Sequence, residues 1–322
     1  MKVLVTGGAG FIGANLCRRL TESGEHEVVV IDDLSTGSRA NLDGLDVELF
    51  EGSFLDAALL DDAVRGVQAV VHLGAVPSVP RSIADPVTSH LANATGTVMV
   101  LEAARAEGDT HVIVASSSSV YGANPTLPKR EDLATFPLSP YGASKLATEA
   151  YALSYQYSFG LPVLAFRFFN VFGPLQGAGH AYAAVVPQFV SAALDGRPVT
   201  VHGDGEQSRD FTSVGTVCDV ITDAVQRRVT HPEPVNLAFG TRTSLLELLT
   251  RLEAILGVPI AREHVESRAG DVRHSQAYSG RVRELFPEVT PVDLDDALRA
   301  TVEWFQADPL AATGSGASAG TG

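Results

Sequence analysis

Six short apolar runs punctuate the first half of the chain. They are residues 2–6 (KVLVT), 27–31 (EVVVI), 47–50 (VELF), 68–72 (QAVVH), 111–115 (HVIVA) and 162–166 (PVLAF). All are rich in Val, and most are nearly continuous rather than alternating. That is the pattern of strands covered on both faces. Between them, around 11–22, 56–65, 86–107 and 140–159, apolar residues recur at helical spacing. Strands alternating with helices predict an α/β protein with a parallel sheet sandwiched between helices. From about residue 175 the rhythm breaks. Helices are expected near 183–195, 215–228, 244–256 and 293–306, separated by loops such as HGDGEQSRDF. The division read from this is a first domain over 1–174, to which later segments return, and a smaller lobe over 175–310. The stretch 311–322, AATGSGASAGTG, has nothing to bury and reads as a flexible tail.

The first strand runs into VTGGAGFIG, residues 5–13, at the start of the first helix. Gly7, Gly10 and Gly13 recur every third position, and Gly8, Gly10 and Gly13 also satisfy G-x-G-x-x-G. Glycines there let the backbone turn tightly and bring a helix N-terminus up to a pyrophosphate. Asp32 ends the second strand, about 20 residues on, where a carboxylate accepts from the adenosine ribose hydroxyls. The same carboxylate repels a 2′-phosphate, so the expected cofactor is NAD rather than NADP. DDLSTG, residues 32–37, then wraps the adenosine.

Composition narrows the picture further. The formal charge of −15 argues against nucleic acid as a partner. The 45% apolar content fits a globular protein, and no apolar segment approaches the roughly 18–20 residues of a membrane span. The first strand opens at Lys2, so no signal peptide is expected and the location reads as cytoplasmic. Cys17 and Cys218 fit a reducing compartment, and the nine His form no cluster at metal spacing, so no metal is expected. The basic residues are almost all Arg; the lysines are Lys2, Lys129 and Lys145.

One of those lysines belongs to a chemical pattern. YGASK places Tyr141 and Lys145 four apart, on one face of a helix. A phenol ionises near pH 10, so a Tyr acting as base near neutrality needs about 4 kcal/mol of help. A neighbouring ammonium and a positive nicotinamide ring supply it. Lys does this as a compact charge that also reaches a ribose. Close to this helix in sequence, the strand 111–115 empties into SSSSVYG, residues 116–122.

With these motifs in hand, the chain resembles the extended short-chain dehydrogenase/reductases, and among them the nucleotide-sugar 4-epimerases of the UDP-galactose 4-epimerase type. The resemblance runs from residue 1 to about 306. It is carried by TGGAGFIG, DDLSTG, SSSSVYG, YGASK, RFFNVFGP, GDGEQSRDF and RAGDVRHSQA, and SVPRSIADP and AYAAVVP bring it nearest to the branch acting on UDP-N-acetylhexosamines. It implies a Rossmann-type doubly wound parallel sheet with a smaller C-terminal α/β substrate lobe, and a homodimer paired through the helices near 86–107 and 140–159. It implies catalysis by Ser117, Tyr141 and Lys145. Tyr141 takes the 4-hydroxyl proton, hydride passes to a permanently bound NAD, the 4-keto sugar swings about its diphosphate, and hydride returns to the other face.

The resemblance further implies cofactor contacts from Gly7, Gly10, Phe11, Ile12, Asp32, Asp33, Ser35, Thr36, Gly37, Ser53, Phe54, Leu73, Gly74, Ala75, Asn93, Tyr141, Lys145 and Phe168. The implied substrate contacts are Pro77, Ser78, Arg81, Ser117, Ser118, Tyr141, Asn170, Ala184, Val185, His202, Arg209, Arg268, Asp271 and Ser275. Of these, Asn170, Arg209 and Arg268 belong with the diphosphate, Asp271 with the uridine ribose and His202 with the uracil. Related 4,6-dehydratases carry Asp-Glu where Ser118-Ser119 stand, and related decarboxylases carry Glu for Ser119, so neither dehydration nor decarboxylation is expected.

Departures leave the sugar open. Ser53 stands where relatives have an Asp for the adenine amine. Ser275 and Ala184 replace the larger side chains of enzymes restricted to UDP-glucose and UDP-galactose, which favours a bulky sugar: an N-acetylhexosamine or a uronate. Pro77 and Arg81 resemble UDP-glucuronate epimerases, whereas Gln188 stands where some of those have a carboxylate-binding Arg. UDP-glucose/UDP-galactose epimerisation is an alternative reading. A non-catalytic NAD-binding regulator is an alternative of another class.

Overall fold

The computed structural model describes residues 1–179, 183–266 and 273–307. In chain order the main elements are β1 (Lys2–Thr6), α1 (Phe11–Glu22), β2 (Glu27–Asp32), β3 (Val47–Glu51), α2 (Ala57–Val64), β4 (Ala69–His72), α3 (Val79–Ala84), α4 (Pro86–His90), α5 (Gly96–Ala106), β5 (His111–Ser117), α6 (Pro140–Phe159) and β6 (Val163–Phe168). The helices α7 (Val185–Leu194), α8 (Val214–Arg227), α9 (Leu245–Leu256), α10 (Gly280–Leu285) and α11 (Leu294–Ala307) follow. The strands β1–β6 and a seventh, Val235–Leu237, form one sheet in the order seventh, β6, β5, β4, β1, β2, β3. All its pairings are parallel. The chain winds outward from β1 to β3, returns to lay β4 on the other side of β1, and winds outward again. Between β1 and β4 the winding reverses, and ligands of such sheets sit beyond the strand ends at that point.

The Val-rich runs are apolar throughout because each strand feeds two cores. In β1, Val3 and Val5 pack against α1 and α8, while Leu4 packs on the other face against α2 and α5. Val28 and Val30 against Val29 and Ile31 in β2, and Ile113 against Val112 and Val114 in β5, repeat the division. All are 1% exposed or less. Each fully buried Val, Leu or Ile of this kind contributes roughly 1.5–3 kcal/mol. α8 lies far along the chain yet packs on α1, so the C-terminal half returns to the first core. A separate core joins α7, α9 and α11 with the strand Val199–His202.

Among the elements not foreseen are α3, α10, the seventh strand and the strand Val199–His202. Each has six residues or fewer, too few to display a period. The single helix expected over 86–107 is interrupted by a wider turn at Leu91–Thr95. There the Asn93 carbonyl is taken by the hydroxyls of Thr97 (2.5 Å) and Thr148 (3.1 Å). Such turns inside helices occur often at functional sites. No helix among the described residues is long and apolar enough to cross a membrane. Cys17 and Cys218 are buried free thiols.

Candidate active site

Beyond the C-terminal ends of β1, β2, β4, β5 and β6 lies a cleft of about 750 Å³. The glycine turn forms one wall. A Cβ on Gly13 would stand 2.2 Å from the Gly7 carbonyl oxygen, so no side chain fits there. The Asp32 carboxylate closes the second strand's end. It accepts from the backbone N–H of Ala9 (2.9 Å) and of Leu34 (2.9 Å). Burial raises its pKa, and these two bonds pull it back.

Of the residues expected to hold the cofactor, Gly7, Gly10, Phe11, Ile12, Asp32, Asp33, Ser35, Thr36, Ser53, Phe54, Leu73, Gly74, Ala75, Tyr141, Lys145 and Phe168 all line this cleft. Gly37 and Asn93 do not. Gly37 packs on the backbone of Ala9. Asn93 is 1% exposed and clamps Val76, accepting its N–H (2.8 Å) and donating to its carbonyl (3.2 Å). The cradle fits NAD: backbone without side chains where a pyrophosphate must approach, and a carboxylate where a ribose diol must be held and a 2′-phosphate refused.

Each of the four serines has its own surroundings. β5 runs to Ser117, two residues past its expected end. The Ser116 hydroxyl lies 2.8 Å from a Glu149 carboxylate oxygen and 3.1 Å from the Lys145 carbonyl, both on α6. Ser117 caps the short turn Ser118–Val120, accepting from the Ser119 N–H at 3.1 Å. The Ser117 side chain lies near enough to the Tyr141 phenol to oppose the rise in its pKa. Ser118 and Ser119 line the cleft.

Tyr141 and Lys145 enter from α6, whose start is set by Pro140 and by the Ser139 hydroxyl accepting from the Gly142 N–H (3.1 Å). Glu149, one turn beyond Lys145, meets Arg167 of β6 at 2.7 and 3.0 Å in a buried, doubly bonded pair. That pair clamps α6 to the sheet. The Lys145 ammonium donates to the Ala115 carbonyl at 2.8 Å, and burial pushes it down to about 8. Burial raises the Tyr141 phenol, and Ser117 opposes this. The phenol is therefore in its acid form in this structure, beside Ser117 and one helical turn from the Lys145 ammonium.

A second cavity of about 270 Å³ shares Asn170 and Val171 with the first. Ala184, Val185, His202 and Arg209 line it, as does Gln188, whose side chain donates to the Ala183 carbonyl at 2.7 Å. Arg209 donates to the carbonyls of Ser208 (3.0 Å) and Arg273 (3.2 Å). Asn170 holds a positive φ of 32° and donates to the Asp210 carbonyl at 3.2 Å. Pro77, Arg81, Ser117 and Ser118 line the first cavity.

Ser78 lines neither cavity; it caps α3 at φ 97°. Ser275 also lies outside both linings, with its N–H bonded to the Ser208 carbonyl at 3.0 Å. Arg268 and Asp271 lie outside the described residues. Sequence reasoning passed over Thr88, Leu91, Ala92 and Gln176 in the first lining, gave Ser116 of that lining no role, and passed over Glu149 and Arg167 behind it. A helix drawn without its wide turn hides Leu91 and Ala92. Tyr141, Lys145 and Glu149 do recur at one helical spacing, and that was the available signal for Glu149. Among the described residues no group of three or more His, Cys, Asp or Glu could hold a metal ion.

Comparison with known proteins agrees with this geometry. Residues 3–238 match the NAD dependent epimerase/dehydratase family. The UDP-glucose 4-epimerase of Mycolicibacterium smegmatis is 38% identical, over 95% of this chain and 99% of the relative. The UDP-N-acetylglucosamine 4-epimerase of Methanobrevibacter ruminantium, solved with UDP-N-acetylmuramic acid, superposes with a TM-score of 0.89 at 34% identity, covering 95% and 98% of the two chains. The UDP-glucuronic acid 4-epimerase of Bacillus cereus, solved with UDP-glucuronic acid and NAD, gives 0.85 at 29% identity, covering 95% and 99%. The cradle, the Ser117–Tyr141–Lys145 group and these relatives lead to one conclusion: this chain belongs to the NAD dependent epimerase/dehydratase family and is an NAD-dependent isomerase.

Proposed function

We propose that the chain inverts C4 of a UDP-sugar, and that the sugar is bulky: an N-acetylhexosamine first, a uronate second. One observation carries the reaction type. The ionisable side chains lining the first cavity are Asp32, Asp33, Arg81, Tyr141 and Lys145, and both acids belong to the adenosine end. Among the described residues, the lining around Ser117 carries hydroxyls, a phenol and an ammonium, and no carboxylate to remove a proton at C5 or to assist loss of water.

NAD, when bound, accepts the C4 hydride and gives it back. The chain's part is proton handling and orientation. Ser117 holds the 4-hydroxyl and passes its proton to the Tyr141 oxygen. Lys145 sits one turn away as the fixed positive charge that favours the phenolate. The diphosphate is held by Asn170 and Arg209, about which the 4-keto sugar turns. A guanidinium suits phosphate as a planar fork of donors.

Ala184 at the mouth of α7 leaves the second cavity open beside the first, which favours a substituent larger than hydroxyl. Arg81 supports the second reading: its guanidinium makes no hydrogen bond or ion pair among the described residues. We further infer a cytoplasmic homodimer. Ile83, Val87 and Leu91 are 64%, 65% and 44% exposed along α3, α4 and the turn after them, and α6 exposes Tyr151, Tyr157 and Phe159. The test is a panel of UDP-sugars with product analysis. A 4-epimer of at least one sugar, with no loss of water or CO₂, is expected. Dehydrated or decarboxylated product as the main species would defeat the reading.

A further inference from the structure

Thr6, His72, Asn93, Thr97 and Thr148 are each 3% exposed or less, and the chemistry above uses none of them. Thr6 ends β1 and His72 ends β4, and the two are direct partners in the sheet. The Thr6 hydroxyl lies 2.7 Å from His72 Nδ1 and accepts from the Gly74 N–H at 3.1 Å. His72 Nε2 lies 3.2 Å from the Thr97 hydroxyl, which in turn lies 2.5 Å from the Asn93 carbonyl.

The proton on each atom can be assigned. A carbonyl only accepts and a hydroxyl carries one proton. Thr97 gives its proton to Asn93, so from His72 it can only receive. The imidazole proton therefore sits on Nε2. Burial, helped by the Lys145 charge, pushes His72 down to about 3, so the ring is neutral and Nδ1 is a bare acceptor. Thr6 gives its proton to Nδ1 and receives from Gly74. The sequence Gly74 N–H, Thr6 O–H, His72, Thr97 O–H, Asn93 C=O thus runs in one direction, with every donor used once. A neutral imidazole is the side chain that offers one acceptor and one donor at fixed spacing on a rigid ring. The Phe54 ring, edge-on at 5.4 Å, holds its plane.

The two ends matter. Gly74 is a wall of the cofactor cleft. Asn93 donates from its side chain to the Ser144 hydroxyl at 3.0 Å, and Ser144 donates to the Tyr141 carbonyl at 2.8 Å. Thr148, on the same helix, lies 3.1 Å from both Thr97 and Asn93.

We propose that His72 is a positioning residue: with its proton on Nε2 it couples the cofactor-bearing strand ends to the turn of α6 that carries Tyr141 and Lys145, and so sets the distance over which hydride moves. The proposal rests on the epimerase reading above. Its physical warrant is that hydride transfer is steep in distance, whereas Arg209 and His202, which the epimerase reading gives to the nucleotide, line the second cavity, away from this chain of bonds.

The experiment uses the NAD-loaded protein and the variants Thr97→Val, Thr97→Ser, His72→Leu and the double variant His72→Leu/Thr97→Val. Thr97→Val keeps the shape and removes the hydroxyl; Thr97→Ser keeps the hydroxyl. With added NAD and the sugar that the wild type epimerises, Thr97→Val is expected to lower kcat about tenfold or more, in the range of a misplaced reactant, with KM within about threefold. The kinetic isotope effect of the 4-deuterated sugar should rise. Thr97→Ser should stay within about twofold of wild type, and the double variant should be no worse than either single one, as for groups acting as a unit. NAD alone gives a second readout: it should leave Thr97→Val about threefold faster or more, and leave Thr97→Ser at the wild-type rate. A lowered melting temperature with kcat, isotope effect and NAD release unchanged in Thr97→Val overturns the proposal, as do losses that multiply in the double variant. If His72→Leu does not fold, the two Thr97 variants decide. If the wild type holds NAD but epimerises no UDP-sugar, the epimerase reading fails, and NAD release alone decides for His72.

Discussion

The two cavities of this protein are built by different means. The first is bounded by strand ends of one parallel sheet, and backbone forms much of its wall: the glycine turn, the Ala115 carbonyl that holds Lys145, and the Gly74 segment. The second is bounded by α7, the short strand Val199–His202 and loops, and its walls are largely side chains, such as Arg209, bonded to the carbonyls of Ser208 and Arg273, and Gln188, bonded to that of Ala183. A backbone wall shifts only if the sheet shifts. A side-chain wall can be rebuilt by one substitution. The cofactor end should therefore fail abruptly when altered, and the sugar end should change gradually.

Gly13→Ala is the harshest test of that contrast. Its methyl would meet the Gly7 carbonyl at 2.2 Å, and both partners are backbone. The expected outcome is protein purified without NAD, or insoluble protein. NAD measured after denaturation checks it. Wild-type NAD content would mean that the glycine turn yields as easily as a loop.

Tyr141→Phe comes next. It removes one oxygen and leaves α6 with its Ser139 cap and its Glu149–Arg167 clamp. Turnover should fall by about 10² or more, the range for losing a general acid–base group, with NAD content and melting temperature near wild type. Residual turnover within tenfold of wild type would remove Tyr141 from proton transfer.

Lys145 gives a smaller, pH-dependent effect at the same end. A buried ammonium held down to about 8 loses its charge as pH rises past that value, and with it the support for the phenolate. In the free enzyme kcat/KM should therefore bend downward near pH 8, falling by about tenfold per further pH unit. The bend should be absent in Lys145→Arg, whose guanidinium stays charged, whatever its residual rate. A profile flat to pH 10 in the wild type would show that the ammonium is held charged by groups beyond the chain's own.

The same contrast governs what was legible in the sequence. Asp32, Tyr141 and Lys145 were readable because sheet register and helical period fix where they go once the strands are found. Ser116 was named only as part of a serine run. Its partner Glu149 was overlooked because a buried ion pair has the same letters as a solvated one, and Arg167 lies in a strand that reads as apolar. Asn93, read as a cofactor contact, lies behind the wall, since the wide turn at Leu91–Thr95 changes which residues face the cleft. In the second cavity no period operates. His202, Arg209 and Ser275 were placed by resemblance; His202 and Arg209, at strand ends, line the cavity, whereas Ser275 lines neither.

Ser275 should show the smallest effect. The sequence reading makes it a wall of the sugar pocket, so that Ser275→Tyr would block an N-acetylhexosamine and spare UDP-glucose. In the structure its N–H is fixed to the Ser208 carbonyl at 3.0 Å, parallel to the bridge between Ser208 and His274, and it contributes to neither cavity lining. The neighbouring His274 is tied to the Ser208 hydroxyl at 2.9 Å. Ser275 is half-buried, but a larger side chain there enters a region already outside the open volume, and a change away from the site costs within about 0.5 kcal/mol, or about twofold in a rate or affinity. The expected outcome is kcat/KM within about twofold of wild type on UDP-glucose and on UDP-N-acetylglucosamine alike, for whichever of them the wild type accepts. Ala184, at the start of α7, does line the second cavity, so Ala184→Gln is the informative companion: it should lower activity on the larger sugar more than on the smaller. A selective loss from Ser275→Tyr with none from Ala184→Gln would reverse the assignment of the wall and bring the loop after Arg273 into the site.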